Sequence, residues 1–255
     1  MKSPTLEFDI AYFMYVLLFF LVVYLFKNSY FKTFIKVAKE EIVQSKLRII
    51  LSLILVVLTV VFFDRKISIY FLENKQSFLN DVANVGNIFG QGKYLISIIL
   101  TIGMMFLLFE KIKLLKVFYI SISAFVMTSI INPILKGIIY RQRPYETFDE
   151  NLFFSYKRAY EEGRFFTNMY DSTYYSMPSG HTMAITSVFA VYGFYAKNKV
   201  LKIVYFGIPL ITAFSRVYIN KHWLSDTVVA YLLGIFVARV IYKINENRLV
   251  EDKNV

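Results

Sequence analysis

Apolar residues gather in runs separated by short polar turns along most of the chain. Crossing about 30 Å of hydrocarbon takes roughly 20 residues of apolar helix. Runs near that length predict membrane spans at 10–26, 49–63, 94–109, 114–135, 182–196, 200–214 and 227–243. Several are short, and Lys116 and Lys202 stand inside nominal spans; snorkelling lysines and Tyr- or Ser-containing flanks extend such cores to the interface. The expected fold is therefore all-α, a polytopic transmembrane helix bundle. Val23-Tyr24-Leu25-Phe26-Lys27 offers no small-residue cleavage site, so 10–26 reads as a retained helix rather than a signal peptide. Next, Phe31, Phe34, Ile35, Ala38 and Ile42 recur at helical spacing among lysines. That pattern fits either a helix lying in the membrane surface or a plain connector.

Composition agrees with the pattern: 57% of the 255 residues are apolar and only 18% are charged, against about 25% charged in soluble domains. The net charge of +11 does not point to nucleic acid, because the basic residues lie in short turns between apolar runs. Alternating spans give two sets of turns. With the charged residues inside the adjoining spans, the set holding 27–48, 110–113, 197–199 and the tail carries 16 basic against 6 acidic residues. The other set, holding the N-terminus, 64–93, 136–181 and 215–226, carries 13 against 12. Positive turns favour the cytoplasm, so the second set is expected outside. Within it, 136–181 is rich in Phe and Tyr, a composition suited either to resting at the headgroup interface or to walling a lipid entrance. Lysine outnumbers arginine 20 to 9, which with abundant Ile, Phe and Tyr reads as a bacterial chain from an AT-rich genome; the expected location is the cytoplasmic membrane. Cysteine is absent, so disulfide and thiolate chemistry are excluded.

Three polar clusters fall on the expected outer side. Lys136 precedes Arg143-Pro144 after span 114–135; Pro178-Ser179-Gly180-His181 opens span 182–196; Ser215-Arg216, His222 and Asp226 lie between the last two spans. Alone, each has a plainer reading. Lys136 suits a snorkelling lysine, Ser179 a helix cap, Gly180 a packing glycine, and His222 with Asp226 an ordinary i, i+4 pair. Together they collect three cations and both histidines of the chain at one membrane face, where charge is costly and marks function. Arginine forks and the start of a helix suit phosphate oxygens, so Lys136, Arg143, Ser179, Gly180 and Arg216 form a candidate phosphate site. A carboxylate four residues away orients an imidazole and stabilises its cation. His222 with Asp226 is thus the candidate nucleophile pair, and His181 the candidate acid. No His/Asp/Glu set has metal-ligand spacing, so no metal and no cofactor are expected.

The three clusters together resemble the tripartite signature of the type-2 phosphatidic acid phosphatase superfamily, which includes bacterial lipid phosphatases, glucose-6-phosphatases and vanadium haloperoxidases. The resemblance implies a six-helix core over about 49–243, so the chain divides into 1–48, an extra membrane helix with a basic interfacial segment, and 49–255, the phosphatase core. It implies His222 as nucleophile, Asp226 as its orienting group, His181 as acid and the remaining five residues as phosphate ligands, without a metal. The expected function is hydrolysis of a lipid phosphate or diphosphate through a phosphohistidine at the extracytoplasmic face. Family candidates are undecaprenyl diphosphate, phosphatidylglycerophosphate, phosphatidic acid and lipid A phosphate. Transfer of the phosphoryl group to a lipid hydroxyl is the alternative. A haloperoxidase fits a membrane bundle poorly, and a transporter is disfavoured because the charges sit at helix ends rather than at broken midplane helices.

Overall fold

The computed structural model describes residues 30–90, 112–145, 153–163 and 173–251. The expected spans 10–26 and 94–109 lie outside the described residues. Helices, with no strand among the described residues, make up the fold: α1 (Tyr30–Gln44), α2 (Lys46–Leu58), α3 (Asp64–Glu73), α4 (Ser77–Gly90), α5 (Ile112–Ile139), α6 (Tyr156–Glu161), α7 (Gly180–Tyr195), α8 (Lys199–Tyr218) and α9 (Leu224–Glu251). Among the described residues, four stretches are long and apolar enough to cross a bilayer: Lys46–Glu73, Leu114–Ile139, Lys199–Tyr218 and Leu224–Glu246. The bundle is thus polytopic and helical, as the hydrophobic pattern predicts.

Helix α7 is the axis, packed against α5, α8 and α9. It is apolar or small on every side, the pattern of a helix enclosed by others, and Met183, Ile185, Ala190 and Val191 are almost wholly buried. Small residues bring its neighbours close, since helices in lipid associate through tight packing and interhelical hydrogen bonds. A Cβ on Gly234 of α9 would stand 2.7 Å from the Thr186 side chain. Thr128 of α5 and Ser187 of α7 share a hydrogen bond at 3.2 Å.

Several predicted boundaries need correction. The span expected at 49–63 continues to Glu73, because a π-turn at Thr59–Phe63 joins α2 to α3 instead of ending the helix. Thr59 Oγ1 donates to the carbonyls of Val56 (2.7 Å) and Leu55 (3.1 Å), competing with the regular ladder there. The wider turn re-phases the following residues. Val61, Phe62 and Phe63 remain exposed to the lipid side while Asp64 is completely buried. Residues 64–90, expected as an outer turn, are therefore mostly α3 and α4. Helix α8 also runs four residues past the predicted 214, through Arg216.

Helix α1 forms, but its inward face is not the predicted stripe. Tyr30, Phe34, Val37 and Glu41 are buried, whereas Ile35 and Ile42 are 41% and 47% exposed. The cause is charge: Glu41 pairs with Lys243 and, at 2.7 Å, with Arg239, both on α9. A buried carboxylate needs such partners, and these set the rotation of α1. Burial alone would raise the Glu41 pKa, but hydrogen bonds from Lys243 and Ser45 and the Arg239 charge hold it below the ordinary carboxylate value.

Helix α4 is keyed to α8. Ser215 donates to the Ala83 carbonyl at 2.6 Å and Thr212 to the Gly86 carbonyl at 3.2 Å. A Cβ on Gly86 would lie 2.6 Å from the Ile211 carbonyl oxygen. Gly86→Ala should therefore cost about 1–3 kcal/mol through overpacking. Gly207→Ala, with nothing within 4 Å of its added carbon, should leave stability unchanged or raise it; thermal unfolding of both variants in detergent checks the contrast.

Candidate functional site

The three clusters meet where α5, α7, α8 and α9 begin or end. Helix α5 carries Lys136 in its last turn and ends at Tyr140, whose φ of 45° is uncommon for a bulky residue. That turn is held by stacking of the Tyr140 ring on Tyr156 and Tyr174, at 4.4 and 5.5 Å between centroids. The chain then runs past the residues that precede α7: Arg143 N–H donates to the Thr173 carbonyl at 2.9 Å, and Ser176 N–H to the Arg141 carbonyl at 3.0 Å. The first cluster is thereby tied to the second.

At α7, Ser179 takes the N-cap position without a side-chain cap; its hydroxyl instead meets Thr182 Oγ1 at 3.0 Å. The backbone N–H groups of the first turn, at Gly180 and His181, are thus left to the site, where a helix start favours an anion. Gly180 passes close to Asn132 of α5, whose Oδ1 would stand 3.1 Å from an added Cβ. Ser179 N–H donates to the Asp226 carbonyl at 3.1 Å, tying the second cluster to the third.

The third cluster is a tight reversal between α8 and α9. Asn220 adopts φ 53°, a conformation asparagine tolerates. The carbonyl of Arg216 receives N–H bonds from both Lys221 and His222 at 3.1 Å, which sets His222 beside Arg216. His222 itself precedes α9, so His222 and Asp226 do not share the helical face expected from their spacing. Asp226, in the first turn of α9, reaches back to accept the Trp223 N–H at 2.9 Å, as the acidic member of a capping box does. Its Oδ2 also accepts the Ser176 hydroxyl and lies 3.5 Å from His222 Nδ1. That approach is looser than a hydrogen bond, and Nδ1 has no hydrogen-bond partner among the described residues. Catalytic hydrogen bonds commonly tighten only with substrate bound.

The expected residues come within electrostatic reach of one another. His222 is buried, and its pKa is well below the ordinary imidazole value, chiefly through burial and then through the charges of Arg143, Arg216, Lys136 and His181. Lys136 feels Arg143, Asp226 and Arg216, and His181 feels Arg216, Lys136 and Arg143. Arg216 Nη1 donates to Asn87 Oδ1 of α4, while its buried Nε has no partner among the described residues. Arg143 Nη1 donates weakly to the Lys221 carbonyl at 3.4 Å. Crowded cations with one nearby carboxylate already engaged are an anion-binding arrangement. Among the described residues no group of three His, Cys, Asp or Glu is placed to hold a metal ion.

Sequence reasoning missed the groups that hold Asp226. Arg141, 0% exposed, donates through Nη1 to Asp226 Oδ1 and through Nη2 to Asp64 Oδ2 at 2.6 Å. Trp223 Nε1 donates to the Gln142 carbonyl at 2.8 Å, and Asn87 steadies Arg216. The available signal was the charge of Asp64 at the edge of an apolar run, since an ionisable residue there is a functional candidate.

A multi-pass helical membrane protein with a buried cationic pocket at its helix ends is the class that fold and site define. The PAP2 superfamily model matches residues 114–249, more than half of the chain, and the protein belongs to that family. Its fold is similar to the crystal structure of a transmembrane PAP2-type phosphatidylglycerolphosphate phosphatase from Bacillus subtilis, at TM-score 0.56 and 22% identity over 86% of this chain and 96% of that one. It is also similar to Aquifex aeolicus LpxE, at TM-score 0.52 and 17% identity over 70% of this chain and 93% of that one. No curated protein matches the sequence at a significant level.

Because native His222 is buried and neutral while the unfolded chain titrates near 6.5, acid favours unfolding. Stability should be fully present above about pH 6.5 and fall below it by up to about 1.4 kcal/mol per pH unit. Unfolding of wild-type and His222→Gln protein at pH 7.5 and 5.5 checks this, with the smaller pH loss expected in the variant.

Proposed function

We propose that this protein is an integral membrane phosphatase that hydrolyses a lipid phosphate or diphosphate through a phosphohistidine on His222. The observation that carries the reading is the meeting of Lys136, Arg143 and Arg216 around His222 and His181 at one end of the bundle. Neutral His222 attacks phosphorus through Nε2, and the bond from phosphorus to the lipid oxygen breaks as His181 gives that oxygen a proton. Asp226 faces Nδ1–H and stabilises the imidazolium as it forms. Lys136, Arg143, Arg216 and the backbone N–H groups at Gly180 and His181 spread the charge on the equatorial oxygens, where preorganised donors contribute most. His181, now the base, takes a proton from water; the water oxygen attacks phosphorus, the P–N bond breaks and phosphate leaves.

The electrostatics favour His222 as the nucleophile. Burial and the same cations also hold the His181 pKa below the ordinary imidazole value, so its acid role requires the substrate phosphate to bring the proton onto it. Surrounding cations and burial keep His222 unprotonated at neutral pH, which leaves a lone pair for attack. The same cations oppose its protonated, phosphorylated form unless the incoming phosphoryl charge compensates them. An empty pocket is thus charged against itself and a filled one is balanced.

A lipid substrate is supported by the membrane-embedded fold and by α6. Phe154, just before that helix, and Tyr160 on it are 64% and 70% exposed, beside Lys157 and Arg158, a combination suited to the headgroup layer. The family candidates, including the phosphatidylglycerolphosphate class named for the Bacillus subtilis neighbour, define the test panel. Purified protein should release inorganic phosphate from at least one of phosphatidylglycerophosphate, phosphatidic acid, undecaprenyl diphosphate and lipid A phosphate. His222→Ala should lower the rate by more than about 1,000-fold while still inserting in the membrane; comparable turnover in that variant would remove the covalent step. Phosphate appearing on a second lipid instead of in solution would make the enzyme a transferase.

The distribution of Lys and Arg supports a site on the extracytoplasmic side of a cytoplasmic membrane. The absence of cysteine makes this testable. Lys157→Cys, at a side chain 90% exposed, should react with an impermeant maleimide added to intact cells, and Lys197→Cys should react only after lysis. The reverse labelling would invert the orientation.

A further inference from the structure

Two groups outside the reaction described above bear directly on its orienting carboxylate. Arg141 and Asp64 are both 0% exposed. One guanidinium nitrogen of Arg141 donates to Asp226 Oδ1 and the other to Asp64 Oδ2. The Ser225 hydroxyl sits between them, accepting from Arg141 Nη1 at 2.7 Å and donating to Asp64 Oδ2 at 2.6 Å. Asp64 Oδ1 accepts the Ser225 N–H at 2.8 Å, so a carboxylate from α3 caps the start of α9. This is favourable placement for negative charge, and it joins the π-turned first span to the residue adjoining Asp226.

Charge counting shows why both partners matter. Arg141 alone beside Asp226 would neutralise the carboxylate on which an imidazolium at His222 depends. With Asp64 present, the trio Asp64–Arg141–Asp226 keeps a net charge of −1. We propose that Asp64 and Arg141 are positioning residues for the His222–Asp226 pair, Arg141 pinning Oδ1 so that Oδ2 faces the imidazole and Asp64 balancing Arg141 so that Asp226 keeps its charge for His222. This rests on the reading of His222 as nucleophile.

A merely structural staple would lower activity when broken but would not move the titration of His222. That imidazole faces Arg143 from the loop after α5, Lys136 on α5, His181 on α7, Arg216 on α8 and Asp226 on α9, with Arg141 and Asp64 behind Asp226. Removing the Asp64 charge favours neutral His222. Asp64→Asn should therefore move the acid limb of kcat/KM to lower pH by about 1 unit. It should also cut kcat by about 10-fold or more with KM changed less than about 2-fold, as befits a loss felt only in the transition state.

Arg141→Gln combined with Asp64→Asn removes the cation touching Asp226 together with the more distant anion, leaving Asp226 uncompensated, so the limb should pass above the wild-type position. Replacing a buried pair by neutral groups of similar shape is better tolerated than breaking it, so the double variant decides the matter if the single one does not fold. The limb moving down in the single variant, or standing above wild type in the double with kcat reduced and KM kept, supports the proposal. Wild-type kcat in either variant, a single-variant limb that does not move, or a double-variant limb at or below wild type overturns it. His222→Ala, assayed alongside, separates the two ideas. Activity surviving there sinks the phosphohistidine reading, whereas an unmoved limb with inactive His222→Ala sinks only the positioning role.

Discussion

One buried guanidinium organises this molecule. Arg141 is wholly removed from water, yet it is matched on both sides by carboxylates and by the Ser225 hydroxyl. Burying a charge costs several kcal/mol, and only good geometry with every donor occupied offsets that cost. The cost becomes a constraint. Asp64 on α3, Arg141 after α5 and Asp226 on α9 have to arrive together or each is stranded in a medium that cannot solvate it. The backbone bonds from Ser176 to Arg141 and from Ser179 to Asp226 extend the same constraint to the start of α7.

Around this balanced centre lies a deliberately unbalanced one. Lys136, Arg143, Arg216 and the two histidines act on each other with few compensating carboxylates. Such a cluster is opposed by its own repulsion, which an anion of the kind proposed would relieve. The fold carries this repulsion because α7 is clamped by α5, α8 and α9, with small residues letting the backbones approach. Rigid helix ends keep the cations from swinging away to water. The opposite end of α9 is fixed separately by Glu41 on α1, so the long helix is held at both extremities by buried charge.

Much of the site was legible from the residues alone, and the reason is chemical scarcity. A chain with two histidines and few polar residues among its apolar runs has little choice about where its chemistry lies. Lys136, Arg143, His181, Arg216, His222 and Asp226 stood out for that reason, and alternation of spans was enough to bring them to one face. The relation of His222 to Asp226 was anticipated in partner but not in form. Spacing suggested one helical face, whereas the pair meets across a capping turn, because Asn220 reverses the chain and α9 starts only at Leu224.

Sequence by itself determined the helical class and the place of most apolar helices within the described residues, since hydrophobic runs and rare polar residues are properties of the linear chain. The run at 182–196, though, forms a 16-residue helix that is not among the four candidate spans. Tertiary structure alone decided what the charged residues touch. The continuation of the first described span through its π-turn, the rotation of α1 onto Glu41, and the partnership of Asp64 with Arg141 all arise between residues 77 or more positions apart or from a local re-phasing that no periodicity announces. Pairing of buried charges is a property of three-dimensional desolvation, and a one-dimensional pattern holds no record of which carboxylate will be left facing which cation.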